Sequence, residues 1–100
     1  MREPIIVTCS KDLEAIVPRF LARRREEIAS LRGGLDADDY GALRIIGHGL
    51  KGSGGGYGFT ALTDIGARIE KAALAADAAA LETLLAEHAD YVERLQVVFA

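Results

Sequence analysis

The sequence predicts an all-α fold: an antiparallel, up-down-up-down four-helix bundle with a short extra helix at its N-terminus. Three observations carry this. Alanine is abundant and β-branched residues are sparse, a composition that favours helix. Apolar residues recur at helical spacing in four long segments. The links between those segments are short, and short links make antiparallel neighbours. No segment sustains the two-residue alternation of a strand, so no strands are expected. One hundred residues, half of them hydrophobic, suit a single domain over 1–100 with one modest core.

Each element has its own justification. MREPIIVT reads as an irregular or extended lead-in. Ser10 can cap a short helix from about Lys11 to Ile16. Pro18 suits the first turn of the next helix, where its missing N–H costs nothing. Phe20, Leu21, Arg24, Ile28 and Leu31 follow at helical spacing, the alkyl stem of Arg24 lying along the apolar edge. Gly33-Gly34 is expected to stop this helix. Asp36 or Asp38 opens the following one, with the stripe Leu43, Ile46, Leu50 and Tyr57, and Gly58 marks its end. Thr60 is expected to cap a further helix that turns Leu62, Ile65, Ile69, Ala72 and Ala73 inward. Asp77 caps the last, expected from about Ala78 to Phe99, with Leu81, Leu84, Leu85, Val92, Leu95 and Phe99 inward.

Composition narrows the function. A net charge of −3 and few aromatics argue against a nucleic-acid partner. Cys9 is the only cysteine, which excludes an internal disulfide and gives no support to a cysteine-ligated metal; it reads as a small hydrophobe near the chain start. No apolar run has the length of a signal peptide or of a membrane span, so a cytoplasmic setting and no membrane partner are expected. The initial methionine fits a free-standing protein, and no dimer seam is evident, so a monomer is expected.

The informative stretch is RIIGHGLKGSGGGYGF, with seven glycines in the twelve positions from Gly47 to Gly58. Its apolar stripe stays in helical phase, which a flexible loop does not explain. On a helix at about 100° per residue, Ile46, Leu50 and Tyr57 fall opposite His48, so the histidine faces solvent. Sharing its face are Arg44, Ile45, Lys51, Gly52 and Gly55. Glycine in a helix interior costs up to about 1 kcal/mol against alanine, so this many call for a reason. Gly52 and Gly55 leave bare backbone beside His48, giving another protein close access; Gly54 and Gly56, on the flanks, suit tight helix packing. An exposed neutral imidazole is a nucleophile, and Lys51 at i+3 can neutralise part of a phosphoryl charge. Gly49 at i+1 offers no adjacent base, so the histidine looks like a carrier rather than part of a hydrolytic triad. Ser53 turns toward the packed side and suits packing or a backbone hydrogen bond. The phosphate-loop pattern is absent: the order is Lys-Gly-Ser and no strand is expected before it. His88 is expected to be half-buried or on the surface. Arg23-Arg24-Arg25 and Glu26-Glu27 are expected to pair at i,i+3 and i,i+4 on a solvated face, with some of the arginines bordering a docking surface.

HGLKGSGGGYGF resembles the core motif of histidine-containing phosphotransfer (HPt) domains, roughly H-x-L-K-G-S/T with a glycine about ten positions after the histidine. His48, Leu50, Lys51, Gly52, Ser53 and Gly58 match. ALTDIGARIEKAA resembles the family's following helix, including a Leu/Ile-Glu pair, here Ile69-Glu70, and the likeness covers about residues 10 to 98. The resemblance implies that His48 exchanges a phosphoryl group with the aspartate of a response-regulator receiver domain, downstream of a hybrid sensor histidine kinase. It implies that the receiver supplies Mg²⁺, so this chain needs no cofactor or metal of its own. It carries over Lys51 and Gly52 as phosphoryl-supporting and access-giving positions; Arg44, Ile45 and Gly55 come from helix geometry alone, as docking contacts. No room exists for an ATP-binding kinase domain, so autophosphorylation is not expected. The alternative is a helical adaptor that binds a receiver without phosphotransfer.

Overall fold

A computed structural model describes residues 2–100. Four helices dominate it: α1 (Val17–Asp36), α2 (Tyr40–Gly54), α3 (Thr60–Leu74) and α4 (Ala78–Arg94). Each packs on its neighbour in sequence, and α4 closes the ring on α1. The expected stripes line the interior. Leu31, Leu43, Leu50, Ile69 and Leu81 are buried in one apolar cluster, and Val17, Leu21, Phe59, Leu62 and Val92 in a second.

Contrary to the expectation of no strands, two are present. β1 (Ile5–Cys9) and β2 (Leu95–Phe99) pair in parallel, Ile5 opposite Leu95 and Cys9 opposite Phe99. The last helix therefore ends at Arg94, not Phe99. Leu95 and Phe99 satisfy the helical period at i,i+4, but Leu95, Val97 and Phe99 also alternate, and Val97-Val98 is β-branched. The partner strand, IIVT, decides between the two periods by supplying the ladder. Cys9, the last residue of β1, is buried, which fits its reading as a small hydrophobe. In place of a helix over Lys11–Ile16 there is a single 3-10 turn, Lys11–Leu13, with the Ser10 hydroxyl accepting from the Asp12 N–H at 3.2 Å.

The helix joints differ from expectation in one consistent way. α1 passes through Gly33-Gly34 because Leu31 and Leu35, on either side, are both buried in the core, and Gly34 lies against Leu43. It ends with Asp38 in the left-handed region (φ 54°) and a bond from the Asp39 N–H back to the Gly34 carbonyl at 2.8 Å. Asp39, not Asp36 or Asp38, then caps α2, accepting from the Ala42 N–H at 3.1 Å. The α3–α4 joint repeats this motif. Ala76 is left-handed (φ 51°), the Asp77 N–H bonds the Ala72 carbonyl at 2.9 Å, and Asp77 caps α4 through the Ala80 N–H at 3.0 Å. Between α2 and α3, Gly58 takes the left-handed position (φ 92°) and the Phe59 N–H returns to the Gly54 carbonyl at 2.8 Å. Thr60 does not cap α3; Phe59 holds that position without a side-chain bond.

His88 is fully buried, not half-buried or exposed as expected. Neither ring nitrogen has a hydrogen-bond partner among the described residues. Burial, and secondarily the Arg24 charge, push its pKa down to about 4.

Two stability predictions follow from these positions. Alanine pays about 1–2 kcal/mol in the left-handed region, so Ala76→Gly should stabilise the domain by about 0.5–1 kcal/mol after glycine's larger unfolded entropy is subtracted. Thermal denaturation reads this as a rise of a few degrees; a fall would contradict the strain. His88 must be neutral in the fold, so its contribution is complete above the unfolded pKa of 6.5 and is lost as pH falls toward about 4. Wild type should therefore lose about 2–3 kcal/mol more than His88→Leu between pH 7 and 4.5. Urea unfolding at the two pH values checks this, and equal losses would refute it.

Candidate functional site

The site is built where α2 and α3 touch. Gly47 on α2 faces Gly66 on α3, and nothing stands between them. A Cβ added at Gly47 would lie 2.8 Å from the Glu70 backbone nitrogen and 3.0 Å from the Gly66 carbonyl; one at Gly66 would lie 2.7 Å from the Gly47 carbonyl. No real side chain fits at such distances, so both glycines are required for the approach. Gly54 repeats the contact one end further on, where a Cβ would meet Thr63 at 2.9 Å.

This proximity brings side chains of the two helices within hydrogen-bond reach. Glu70 Oε2 lies 2.7 Å from His48 Nδ1, and Glu70 Oε1 lies 2.8 Å from Lys51 Nζ. One carboxylate therefore bridges the histidine and the lysine. The bond to the Lys51 ammonium, and next the bond to the His48 ring, hold the Glu70 carboxyl below the usual carboxylate range, against the opposing effect of burial. An ionised carboxylate can only accept, so His48 Nδ1 donates. In the neutral ring the lone pair is then on Nε2. The His48 side chain is 67% exposed, so that nitrogen has access to solvent, while Glu70 at 16% is largely covered. The arrangement presents an oriented nucleophile with a fixed negative charge behind it, able to stabilise positive charge developing on the ring.

The structure thus joins His48 and Lys51 through a residue that the sequence reading did not place in the site. Reading only along the helix, it found no carboxylate beside His48; the carboxylate comes from the neighbouring helix. A signal was present. Gly47 and Lys51 on one helix and Gly66 and Glu70 on the next are both i,i+4 pairs of glycine and charge, with opposite signs. Arg44 and Ile45 are exposed, Ile45 at 63%, and Arg44 makes no ion pair among the described residues. Gly49 and Gly52 have open space where a Cβ would point. Gly55 is exposed but begins a 3-10 turn, Gly55–Tyr57, instead of continuing α2. Gly54 is a packing glycine as expected; Gly56 is not, since a Cβ there would meet nothing. Ser53 bonds the Gly49 carbonyl at 2.8 Å, in line with its packing assignment. Of the arginine run, Arg24 pairs with Glu27 at 2.7 Å and is buried, while Arg23 and Arg25 make no ion pair among the described residues.

The helical ring thus carries one exposed histidine, oriented by a carboxylate from the neighbouring helix. The sequence model of the Hpt domain matches residues 15–97, which spans every one of the four helices. The chain belongs to the Hpt domain family, the domains of histidine phosphotransfer in two-component phosphorelays. No curated protein and no solved structure matches it. No helix among the described residues is long and apolar enough to cross a membrane, and no cluster of metal-ligating side chains is found among them.

Replacing Glu70 by glutamine tests the orientation. The amide can donate as well as accept, so Glu70→Gln should weaken the preference for the Nδ1–H form. Ring ¹⁵N shifts of His48 at mildly alkaline pH should show a protonated Nδ1 and a bare Nε2 in wild type, and a mixture in the variant. An Nε2–H ring in wild type would contradict the assignment.

Proposed function

We propose that His48 is the phosphoryl-carrying residue of this domain, exchanging the group through Nε2 with the aspartate of a response-regulator receiver domain. The observation that carries this is the 2.7 Å bond from the His48 Nδ1–H to the Glu70 carboxylate, which leaves Nε2 unprotonated on the exposed side. In the forward step Nε2 attacks phosphorus in line. The N–P bond forms as the bond to the aspartyl oxygen breaks, and the aspartate leaves as a carboxylate. The ring becomes an imidazolium whose Nδ1 proton stays against Glu70, so no proton has to move during transfer. Such a transfer depends on alignment and charge stabilisation more than on acid–base help.

Lys51 is assigned to the phosphoryl oxygens. Its ammonium, held at 2.8 Å by Glu70, is already beside the histidine. Mg²⁺ belongs to the receiver on this reading. Gly52 and Gly55 give the partner access to backbone, and Arg44 and Ile45 border the contact. A hybrid sensor histidine kinase is the expected source of the phosphoryl group. The domain acts as a cytoplasmic monomer, its four helices alternating in direction.

Incubation with a receiver domain phosphorylated by labelled acetyl phosphate tests the proposal. Label should move to this domain as an acid-labile, base-stable phosphate. His48→Gln should abolish it, and Lys51→Ala should slow it about tenfold, equivalent to about 1.4 kcal/mol of barrier, without loss of fold. Labelling of His48→Gln at the wild-type level would sink the proposal. Tight binding with no transfer in either direction would favour the adaptor reading.

A further inference from the structure

We infer that Arg24 is a positioning residue for Lys51: from α1, through Ser53, it fixes the last turn of α2, the turn that carries the ammonium. This deepens the phosphorelay reading and rests on it.

Arg24 interrupts an apolar stripe. Leu21 and Leu31 on the same face are buried and Ile28 is half-buried, yet Arg24 between them is only 6% exposed. A leucine would continue that stripe with no charge to desolvate. A buried ion pair is weak evidence for stability, because desolvation of two charges offsets most of their attraction. The pair with Glu27 therefore does not by itself account for Arg24. It does hold the guanidinium still: one Glu27 oxygen lies 2.7 Å from Nε, the other accepts from Nη2 at 3.0 Å, and the group sits 4.7 Å over the Phe20 ring. What remains is Nη1, which donates to the Ser53 hydroxyl at 3.3 Å. Ser53 in turn donates to the Gly49 carbonyl at 2.8 Å. The bonds thus run from α1 into the main chain of α2.

The turn they reach has little else to hold it. Lys51, Gly52, Ser53 and Gly54 close α2, and a 3-10 turn follows. Glycine adds backbone freedom and no side-chain brace. A Cβ at Gly52 would meet nothing, whereas one at Gly54 would meet Thr63 of α3 at 2.9 Å. Leu50 anchors the start of the turn in the core. The turn is therefore supported by α3 through Gly54 and by α1 through Arg24. While His48 is unmodified, Lys51 has a further hold, its 2.8 Å bond to Glu70. On the phosphorelay reading the ammonium turns to the phosphoryl oxygens during transfer. Its place is then set by the main chain of its own turn, and the bond from Arg24 to Ser53 matters most at that step. Loss of the bond acts on kcat, not on KM.

Ser53→Ala in the full chain gives a test with opposed signs. Alanine favours helix over serine, so an ordinary helix residue at this position predicts amide exchange at Gly52 and Gly54 slowed about twofold. A tether predicts exchange there about fivefold faster, from the loss of one hydrogen bond. Arg24→Met keeps an unbranched apolar stem and should give the same rise. The double variant should exceed neither single one, because each change breaks the same link. Ser53→Ala leaves Arg24 with Glu27 and carries the test alone should Arg24→Met fail to fold. Transfer from a panel of receiver domains, each loaded with acetyl phosphate and Mg²⁺, reads the consequence. In Ser53→Ala, kcat should fall about threefold with KM unchanged, and the fall should vanish in a Lys51→Ala background. Slower or unchanged exchange overturns the tether. Faster exchange with kcat unaltered, or with an equal fall in the Lys51→Ala background, overturns the positioning of Lys51 and leaves the phosphorelay reading intact. Absence of transfer from every receiver to wild type overturns the phosphorelay reading and this inference with it.

Discussion

The contact on which the site depends is the one between two backbones at Gly47 and Gly66. Helices usually pack about 8–10 Å apart, with side chains interdigitated between them. Here a methyl group at either position would strike the opposite main chain. Removing both side chains is what lets Glu70 reach across to α2. The cost is the conformational freedom of two helical glycines; the return is a short span between the helices, across which the Glu70 side chain bonds both His48 and Lys51. An exposed histidine held only by its own helix would sample several orientations and both neutral forms. Held from α3, it has one.

The same economy appears at the joints. α1 to α2 and α3 to α4 use the same sequence of events: a residue in the left-handed region, a main-chain bond returning to the preceding helix, and an aspartate that caps the next. Asp39 and Asp77 each contribute their N–H to the helix behind and their carboxylate to the helix ahead. A residue that serves both ends fixes the turn within very few residues. The α2–α3 joint keeps the left-handed residue but not the aspartate, and spends a 3-10 turn instead. The glycine tract is thus three different things. Gly47 and Gly54 are packing contacts, Gly49 and Gly52 are open surface beside His48, and Gly58 is the turn.

These distinctions mark how far the sequence could be read. The phase of Leu43 and Leu50 placed His48 outward, because a buried stripe fixes the rotation of a helix without reference to its neighbours. Asp77 was legible as a cap because capping is local. Gly33-Gly34 was misleading for the complementary reason: propensity favours a stop there, but Leu31 and Leu35 are buried on either side of it, and tertiary burial outweighs two glycines. β1 and β2 were hidden because each is short and they lie at opposite ends of the chain; neither is a strand except in the other's company. Glu70 escaped for a similar cause. Its role is a relation between two helices, and a search along one helix for a base beside His48 could not meet it.

That relation also settles what kind of chemistry the carboxylate can support. Glu70 is shared between Nδ1 and the Lys51 ammonium, and its pKa is held low, so it is a poor proton acceptor near neutral pH. A strong base at Nδ1 would remove that proton as the ring became positive, and would change the nitrogen's character midway through a transfer. A weak, ionised partner does something narrower: it keeps the proton where it is and offsets charge. On the phosphorelay reading this suits a group that must arrive and later leave by the same path in reverse. Lys51 completes the balance. While the histidine is unmodified its charge is matched by Glu70; when three phosphoryl oxygens come beside it, the ammonium can turn to them and leave the carboxylate to the imidazolium. The imidazolium then faces the carboxylate, and the ammonium faces the phosphoryl oxygens.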